Sequence, residues 1–298
     1  MGHSTSPSSM GQGGIPSANL EPHSLAVVLS LLEGENYQAL RPSDYVLHLT
    51  KNMSENVNKF YETNEKIKLW VIESILQYDD VLRRAEVMAY FIKTALVSPI
   101  IRLHLCSAIK TLFQKCRDMR NLSSAIAIIS ALYSAAIQGL GVIQKSLTRD
   151  KQGKLISLYQ LVNSDSNYRG YWDTLKSAPT AEKKDICIPW LKVHLIELRK
   201  ALSKHPVTIQ EEGQHLINLE RYTTFMAHSK ELLHYTPPSF GEDHQGEQFK
   251  YLLAQLRTVT YSQGTDERLL ARSAILQGRE VSHRRSRKDQ MLQLGFQS

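Results

Sequence analysis

An uncharged run marks the middle of the chain: residues 121–140 contain no charged side chain, and the next charge is Lys145, although 22% of all residues are charged. A run of this length suits the hydrocarbon core of a bilayer, which takes about 20 mostly apolar residues, or the interior of a folded domain. Six polar side chains dilute it: Asn121, Ser123, Ser124, Ser130, Ser134 and Gln138. We therefore expect a helix buried on nearly all sides at the centre of a helical domain, with a membrane-spanning helix as the alternative.

The composition is that of a folded protein with a mild basic excess. Hydrophobic residues make up 42% of the 298-residue chain, which excludes wholesale disorder. The net charge of +7 suits an acidic partner surface or an anionic lipid, and much of the excess lies in residues 283–288. The three cysteines have neither disulfide nor metal-site spacing, which predicts reduced thiols and a cytoplasmic protein.

Helical periodicity extends over most of the chain. Residues 1–22 are rich in Ser, Gly and Pro and are expected to be disordered. Beyond them, apolar residues recur at three- and four-residue spacing, and hardly any segment alternates with period two. Besides the uncharged run, helices are expected from residue 24 and at residues 55–76, 84–95, 154–161, 167–176, 190–202, 218–233 and 247–259. The fold class is therefore all-α, in a single large helical domain.

The segment of residues 94–117 is unusual because it is apolar and carries four basic residues but no acidic one. Pro99 interrupts it. Two interpretations are open at this point: a further core helix after a turn, or an amphipathic helix on a membrane surface.

The familiar signatures of covalent chemistry are missing from the sequence. It contains no phosphate-binding P-loop, dinucleotide-binding glycine turn, zinc-protease motif or serine-nucleophile elbow. His104, His194 and His215 have no partner at metal-ligand spacing. We expect no metal and no cofactor, and a binding or regulatory module is favoured over an enzyme with covalent chemistry.

Several short stretches, taken in order, resemble the catalytic domain of Ras-type guanine nucleotide exchange factors. They begin with LLEGENYQALRPSDY at residues 31–45 and the uncharged run with its approach, residues 116–140. CIPWLKVHLIEL at residues 187–198 and LINLER at residues 216–221 follow, and DERLLARSAILQGRE at residues 266–280 closes the series. Shorter matches lie at Leu69-Trp70, Arg84 and residues 167–169. The resemblance covers about residues 24–280.

The resemblance implies a function without covalent chemistry. Members of this family bind a Ras-family small GTPase and use a protruding helical hairpin to open its nucleotide site, so that GDP leaves and GTP enters. It also implies a domain at residues 23–280, with an apparent insertion at residues 98–115 that is either genuine or translated intron. Residues 281–298 would form a basic tail, for which we expect a weak contact with an anionic membrane and no nucleic-acid binding. The expected location is the cytoplasm or the inner face of the plasma membrane.

By position, the resemblance assigns six residues to the GTPase-binding face. Ile126, Tyr168 and Trp190 would line a pocket for an aromatic side chain of the second switch, and Tyr61 would border it. Tyr133 would lie on the GTPase-facing side of the central helix, and Asn218 would support or touch the interface. The alternative is that Ile126, Tyr168 and Trp190 are ordinary core residues.

The chain departs from the family pattern at positions that bear on exchange. Tyr133 replaces an asparagine, Gly139 an arginine and Trp190 a phenylalanine. In the hairpin, an aliphatic residue and a glutamate usually face the metal and phosphate site, whereas this chain has Arg199 and Ser203 there. Glu197 could serve instead if the hairpin is rotated. These departures leave a second interpretation open, a non-catalytic GTPase-binding or scaffold protein with a degenerate fold.

Overall fold

The computed structural model describes residues 21–51, 54–97, 120–177, 187–211, 213–237 and 247–293. The expected disordered start (but for its last two residues), the apparent insertion at residues 98–115 and the end of the tail lie outside these ranges. Within them the fold is all-α, as expected, with thirteen helices and two small sheets.

The helices and strands are, in chain order, α1 (Pro22–Gln38), α2 (Pro42–Lys51), α3 (Glu55–Leu76), α4 (Val81–Val97), β1 (Arg120–Asn121), α5 (Leu122–Leu132), α6 (Ala135–Gln138), α7 (Gly141–Ser146), α8 (Arg149–Val162), α9 (Arg169–Lys176), β2 (Cys187–Ile188), α10 (Leu191–Lys204), β3 (Thr208–Glu211), β4 (Gln214–Ile217), α11 (Leu219–His234), α12 (Glu247–Thr258) and α13 (Thr265–Gln293). Helix α3 has the bounds that its apolar period predicts. Its first turn is capped by Ser54, whose hydroxyl accepts a hydrogen bond from the backbone N–H of Val57 at 3.2 Å.

The uncharged run lies at the centre of the domain, where α5 packs against α1, α3, α4 and α8. Ten of the eleven residues of α5 are buried, which confirms the expected burial. No helix among the described residues is both long enough and apolar enough to span a bilayer.

The expectation of one continuous helix through this run is wrong. Tyr133 ends α5 with φ −99° and ψ 7°, and Ser134 is extended, with ψ 150°, before α6 begins. The N–H of Tyr133 still bonds back to the carbonyl of Ile129 at 3.0 Å, so the break falls immediately after it. The run is therefore a buried helix followed by a short second one.

The serines of the run bind a buried carboxylate. Glu33 of α1 is fully buried and accepts hydrogen bonds from the hydroxyls of Ser123, at 2.9 Å, and Ser124. The amide of Asn64 in α3 donates to the same carboxylate at 2.5 Å. Burial raises the pKa of Glu33, and these donors act in the opposite direction. The polar residues that dilute the run thus join α5 to α1 and α3.

The last helix, α13, is held to the domain by a buried ion pair. Arg84 of α4 and Glu280 of α13 form a salt bridge, and both side chains are almost fully buried. The Arg84 guanidinium also donates to the backbone carbonyls of Tyr78 at 2.7 Å and Asp79 at 2.9 Å. The helix continues beyond Glu280, where the sequence places the end of the domain, as far as Gln293.

Gly139 allows α13 to approach α6 closely. A Cβ at this position would lie 3.3 Å from both the carbonyl oxygen of Ala135 and the hydroxyl of Ser273. That hydroxyl donates to the carbonyl of Ala136 at 2.6 Å. The glycine that replaces the family's arginine therefore has a packing role.

Helices α10 and α11 pack against each other and form the expected helical hairpin, which we call the arm (residues 191–234). The two helices are joined by a ribbon of two antiparallel strands, β3 and β4, paired from Thr208–Ile217 to Glu211–Gln214. This ribbon was not predicted. Every one of its strand residues is exposed, whereas α2 packs against both arm helices.

Candidate functional site

Two helices of the candidate site begin at one strand pair. Strand β1 pairs in parallel with β2, with Arg120 opposite Cys187 and Asn121 opposite Ile188. Helix α5 begins directly after β1, and α10 begins three residues after β2. The pairing therefore brings the first turn of the central helix next to the base of the arm.

Ile126, Tyr168 and Trp190 meet in one cluster, as the resemblance implies. We call it the aromatic cluster; it comprises Leu122, Ile126, Val162, Tyr168, Tyr171, Trp172, Leu175, Cys187, Trp190, Val193 and Tyr235. Ile126 is 1% exposed, whereas Tyr168 and Trp190 are half-buried. The Tyr168 and Trp190 rings pack edge to face, with centroids 5.2 Å apart. Of the three, the two aromatic rings are the ones that a partner can touch, with Ile126 beneath them.

Tyr168 is held in an uncommon backbone conformation. It has φ 57° and ψ 32°, and Asn167 before it also has positive φ, at 53°. Such left-handed geometry is uncommon outside glycine and costs about 1–3 kcal/mol per residue. Backbone hydrogen bonds fix it: the Tyr168 N–H donates to the Asn163 carbonyl at 3.1 Å, and the Tyr168 carbonyl accepts from the Trp172 N–H at 3.1 Å.

Gly170 lets α9 start this close to α8. A Cβ at Gly170 would lie within 2.8 Å of the backbone carbonyl carbon of Gln160, nearer than real side chains approach. Any larger residue would push α9, and with it Tyr168, away from α8. The positive φ values and this contact are signals of the site that sequence patterns did not reveal.

Tyr171 and His194 form a buried polar pair behind Trp190. The backbone N–H of Trp190 donates to the Tyr171 hydroxyl at 3.0 Å, and that oxygen lies 2.7 Å from Nε2 of His194. Both side chains are buried. Burial lowers the pKa of His194 to about 3, and the nearby His228 acts in the same direction. His194 is therefore neutral at physiological pH.

The Tyr133 hydroxyl is engaged within the domain. It donates to the backbone carbonyl of Leu155 in α8 at 3.1 Å, and its ring lies 4.7 Å from the ring of Tyr159. Burial raises the pKa of Tyr133. The phenol that stands in place of the family's asparagine thus has an internal partner, and the half-exposed Tyr159 lies beside it.

Tyr61 lies where the arm meets α2 and α3. Its ring is 5.8 Å from the ring of His48, and it packs against the main core. Burial raises the pKa of Tyr61 to about 12, although the charge of Arg199 acts in the opposite direction. Burial lowers the pKa of His48, and the Arg199 charge adds to this effect. Exposed Arg199 of α10 is therefore close to both rings.

Glu197 faces a different neighbourhood. It lines a cleft of about 360 Å³ between α9, α10 and α11, together with Asn167, Trp172, Lys176, His194, Leu198, His228, Glu231 and Leu232. Its carboxylate pairs with Lys200 at 2.8 Å. The exposed Ser203 hydroxyl donates to the Lys200 carbonyl at 3.0 Å. Glu197 and Arg199 thus lie on different faces of α10.

Asn218 has a structural position. It caps α11 by accepting a hydrogen bond from the Glu220 N–H at 3.2 Å, and its own N–H donates to the Val207 carbonyl at 3.0 Å. Its side chain is buried. Of the two roles considered for it, support of the arm matches this geometry better than direct contact with a partner.

Sequence reasoning missed an apolar surface on the arm. Exposed apolar side chains occur on the ribbon, its flanks and the first turns of α11: Val207, Ile209, Leu216, Ile217, Leu219, Tyr222 and Met226. We call this set the arm patch. The signal was an apolar group in a segment too short for a helical period. Ile209 is paired with Leu216, so these two side chains lie on one face of the ribbon.

Metal ligands do not gather at this site. Within the described ranges, no three His, Cys, Asp or Glu side chains are placed so that they could hold a metal ion.

Comparison with known proteins identifies the family. Residues 24–223 match the RasGEF domain model. Ras-specific guanine nucleotide-releasing factor RalGPS1 of Danio rerio is 25% identical over 195 residues, which are 63% of this chain and 29% of that protein. Guanine nucleotide exchange factor SDC25 of Saccharomyces cerevisiae is 28% identical over 194 residues, 63% of this chain and 14% of that protein. RAS guanyl-releasing protein 4 of Rattus norvegicus is 27% identical over 204 residues, 67% of this chain and 27% of that protein.

The match therefore spans less than a third of each of these relatives. The family model, in contrast, covers well over half of this chain, from α1 into the first turns of α11. The aromatic cluster, except for Tyr235, and residues 191–223 of the arm fall inside the matched region. The chain belongs to the RasGEF domain family.

Proposed function

We propose that this protein is a guanine nucleotide exchange factor for a Ras-family small GTPase. The observation that carries the proposal is the half-exposed Tyr168–Trp190 pair over buried Ile126, at the base of an exposed arm, in a chain of the RasGEF family. The names of three similar proteins describe them as a guanine nucleotide-releasing factor, a guanine nucleotide exchange factor and a guanyl-releasing protein. The same geometry suits the binding of an aromatic side chain of the GTPase against the two rings.

Exchange follows from differential affinity. The aromatic cluster holds the second switch of the GTPase while the arm enters the nucleotide site, so the protein binds the nucleotide-free form more tightly than the loaded form. By linkage, nucleotide then weakens the protein's own binding by the same factor, and GTP completes the cycle by expelling it. Such a cycle requires neither a covalent intermediate nor a cofactor of the exchange factor.

The charged residues of α10 would determine how the arm acts on the nucleotide site of the GTPase. Arg199 is exposed and lies on the α10 face next to Tyr61 and His48, whereas Glu197 faces the α9–α11 cleft. A cation at position 199 would attract the nucleotide phosphates instead of repelling them. We therefore expect Arg199, with Ser203 one turn further on, to face the phosphates, and Glu197 to act within the arm.

The proposed setting follows from the proposed partner. Ras-family GTPases act at membranes, so the protein would work in the cytoplasm at the inner face of the plasma membrane. The basic residues that follow Val281 would add a weak attraction to anionic lipid, which falls off within a Debye length of the surface.

The second candidate is a GTPase-binding protein without exchange activity. The internal hydrogen bond of the Tyr133 hydroxyl to Leu155 favours it, because a polar group expected at the interface is already satisfied. Arg199 in place of an apolar residue favours it as well. In this case the aromatic cluster would still bind the GTPase.

Release of a fluorescent GDP analogue from a panel of Ras-family GTPases tests the proposal. We expect acceleration by the intact chain and its loss in Trp190→Ala. Tyr261→Ala is the matched control, because this exposed aromatic residue lies outside the aromatic cluster and the arm, and it should leave the rate unchanged. Binding of nucleotide-free GTPase without accelerated release would favour the second candidate. Binding to none of the GTPases would contradict both.

A further inference from the structure

The buried Tyr171–His194 pair has a defined direction of hydrogen bonding. A backbone N–H can only donate, so the Tyr171 oxygen accepts from Trp190. The proton of this fully buried hydroxyl needs an acceptor of its own, and Nε2 of His194, 2.7 Å away, is the atom placed to accept it. Nε2 must then be unprotonated, which places the ring N–H of neutral His194 on Nδ1. The order is fixed: the Trp190 amide donates to Tyr171, and Tyr171 donates to His194.

This order fixes the backbone at the position where the arm begins. Trp190 is the residue before α10, and its N–H has no partner within the helix. On one side, β2 holds the chain through its pairing with β1. On the other, the Tyr171 hydroxyl holds the Trp190 amide. The peptide that sets the direction of the Trp190 ring is therefore restrained from both sides.

The same residues hold the Trp190 ring through packing. The Tyr171 ring lies 5.9 Å from it and crosses at 78°, while Tyr168 packs on it at 5.2 Å. His194 lies one turn into α10, so its bond to Tyr171 also joins the arm to α9. Loss of the Tyr171–His194 hydrogen bond would therefore alter both the position of the Trp190 ring and the attachment of the arm to α9.

We propose that Tyr171 and His194 are positioning residues for GTPase binding, which hold Trp190 and the base of the arm in the binding geometry through the bond order Trp190 amide to Tyr171 to His194. The proposal rests on the proposed function for its binding readout. Its second readout, amide hydrogen exchange at Trp190 in the free protein, does not depend on that function.

Tyr171→Phe keeps the ring and removes only the hydroxyl. In the free protein we expect amide hydrogen exchange at Trp190 to become at least tenfold faster, because its N–H loses its acceptor. With an exchange-active GTPase, we expect the affinity for the nucleotide-free form to fall about tenfold, and the release rate at saturation to stay within about twofold. A residue that acts only on stability would not lower the GTPase affinity while leaving the release rate at saturation unchanged.

Two changes at His194 form the matched pair. Glutamine keeps an acceptor for the Tyr171 hydroxyl, so His194→Gln should retain both the Trp190 protection and the GTPase affinity. Leucine removes the acceptor, so His194→Leu should lose part of both. If Tyr171→Phe does not fold, the comparison of His194→Gln with His194→Leu tests the positioning role instead.

Unchanged Trp190 protection in folded Tyr171→Phe, or equal behaviour of the glutamine and leucine variants, would overturn the proposal. Failure of the proposed function has a different signature. In that case the wild-type chain would bind no GTPase, while the exchange of the Trp190 amide would still respond to Tyr171→Phe.

Discussion

Helices α5 and α11 differ sharply in burial, although both contribute to the candidate site. In α5, ten of eleven residues are buried, and they include serines that bind Glu33. In α11, three of sixteen are buried, and Leu219 is 73% exposed. The first helix is defined by the domain around it, whereas the second presents apolar surface to solvent.

The attachments of the arm explain this contrast. Near its base, the Tyr37 hydroxyl donates to the Leu232 carbonyl at 2.8 Å. Helix α2 also packs against both arm helices. Near its tip, Arg221 donates to the His205 carbonyl at 2.7 Å, a contact within the arm itself. The domain thus fixes the base of the arm and leaves the arm patch available for a partner.

The largest effect on stability should come from breaking the buried ion pair. Arg84→Met leaves Glu280 without its partner inside the domain, and we expect a loss of about 3–5 kcal/mol in the free energy of unfolding, measured by urea denaturation. Arg83→Met is the control, because the Arg83–Glu86 pair is exposed and is worth about 0–1 kcal/mol. Replacing Arg84 and Glu280 together by methionine should recover only part of the loss, because the carbonyls of Tyr78 and Asp79 still lack the donor that Arg84 supplies. Equal costs for the changes at Arg84 and Arg83 would contradict this assignment.

A smaller effect should follow removal of the Glu33 carboxylate. Glu33→Ala leaves the donors of Ser123, Ser124 and Asn64 without their acceptor, at a cost of about 1–3 kcal/mol, whereas Glu33→Gln keeps an acceptor and should cost less. Chemical denaturation of the three proteins at one pH gives this comparison.

The pH dependence of the same residue has a definite sign. The pKa of Glu33 is raised in the folded state above its ordinary value of 4.5, so folding favours the protonated form. Its stabilising contribution is complete below pH 4.5 and is lost as the pH rises through the folded pKa. Relative to Glu33→Gln, the wild-type protein should therefore lose stability as the pH rises from 4.5. A constant difference across this range would show that the carboxyl does not titrate as inferred.

The smallest effect on stability should come from the arm patch. Leu219→Ser changes an exposed side chain, so the free energy of unfolding should stay within about 0.5 kcal/mol of the wild type. Under the proposed function, affinity for nucleotide-free GTPase should nevertheless fall about fivefold or more, as titration calorimetry would measure. Leu270→Ser, at an exposed apolar position of α13, should change neither quantity. Unaltered GTPase affinity in Leu219→Ser would exclude the arm patch from the interface.

Sequence patterns predicted the helices best where a cap and a long apolar period coincide. The bounds of α3 match those expected from its apolar period, and in the structure Ser54 caps its first turn. The break at Tyr133 was not predicted, since neither glycine nor proline lies between residues 121 and 138 to signal it. The ribbon was missed because the stability of a strand depends on its partner, although Gly213, with φ 78°, marks its turn.

Of the six residues predicted for the GTPase-binding face, three lie together in the aromatic cluster, and the contacts that support them were not predicted. Family resemblance brought Ile126, Tyr168 and Trp190 together, and the structure places them in one cluster. The partner of Ser123, in contrast, is a carboxylate 90 residues earlier in the chain. No local pattern reports such a distant contact, nor the bond between Tyr171 and His194. Their roles in binding stay predictions until GTPase affinity is measured.

The two-residue pairing of β1 with β2 gives the arm the properties of a lever. Both α5 and α10 start from this one point, so it acts as a pivot that the aromatic cluster shares with the arm. The 14 residues of α10 give a lever of about 21 Å at 1.5 Å per residue, so a rotation of about 5° at the pivot moves its far end by about 2 Å. Under the proposed function, a small displacement of Trp190 by a side chain of the GTPase would therefore become a larger displacement at the arm tip.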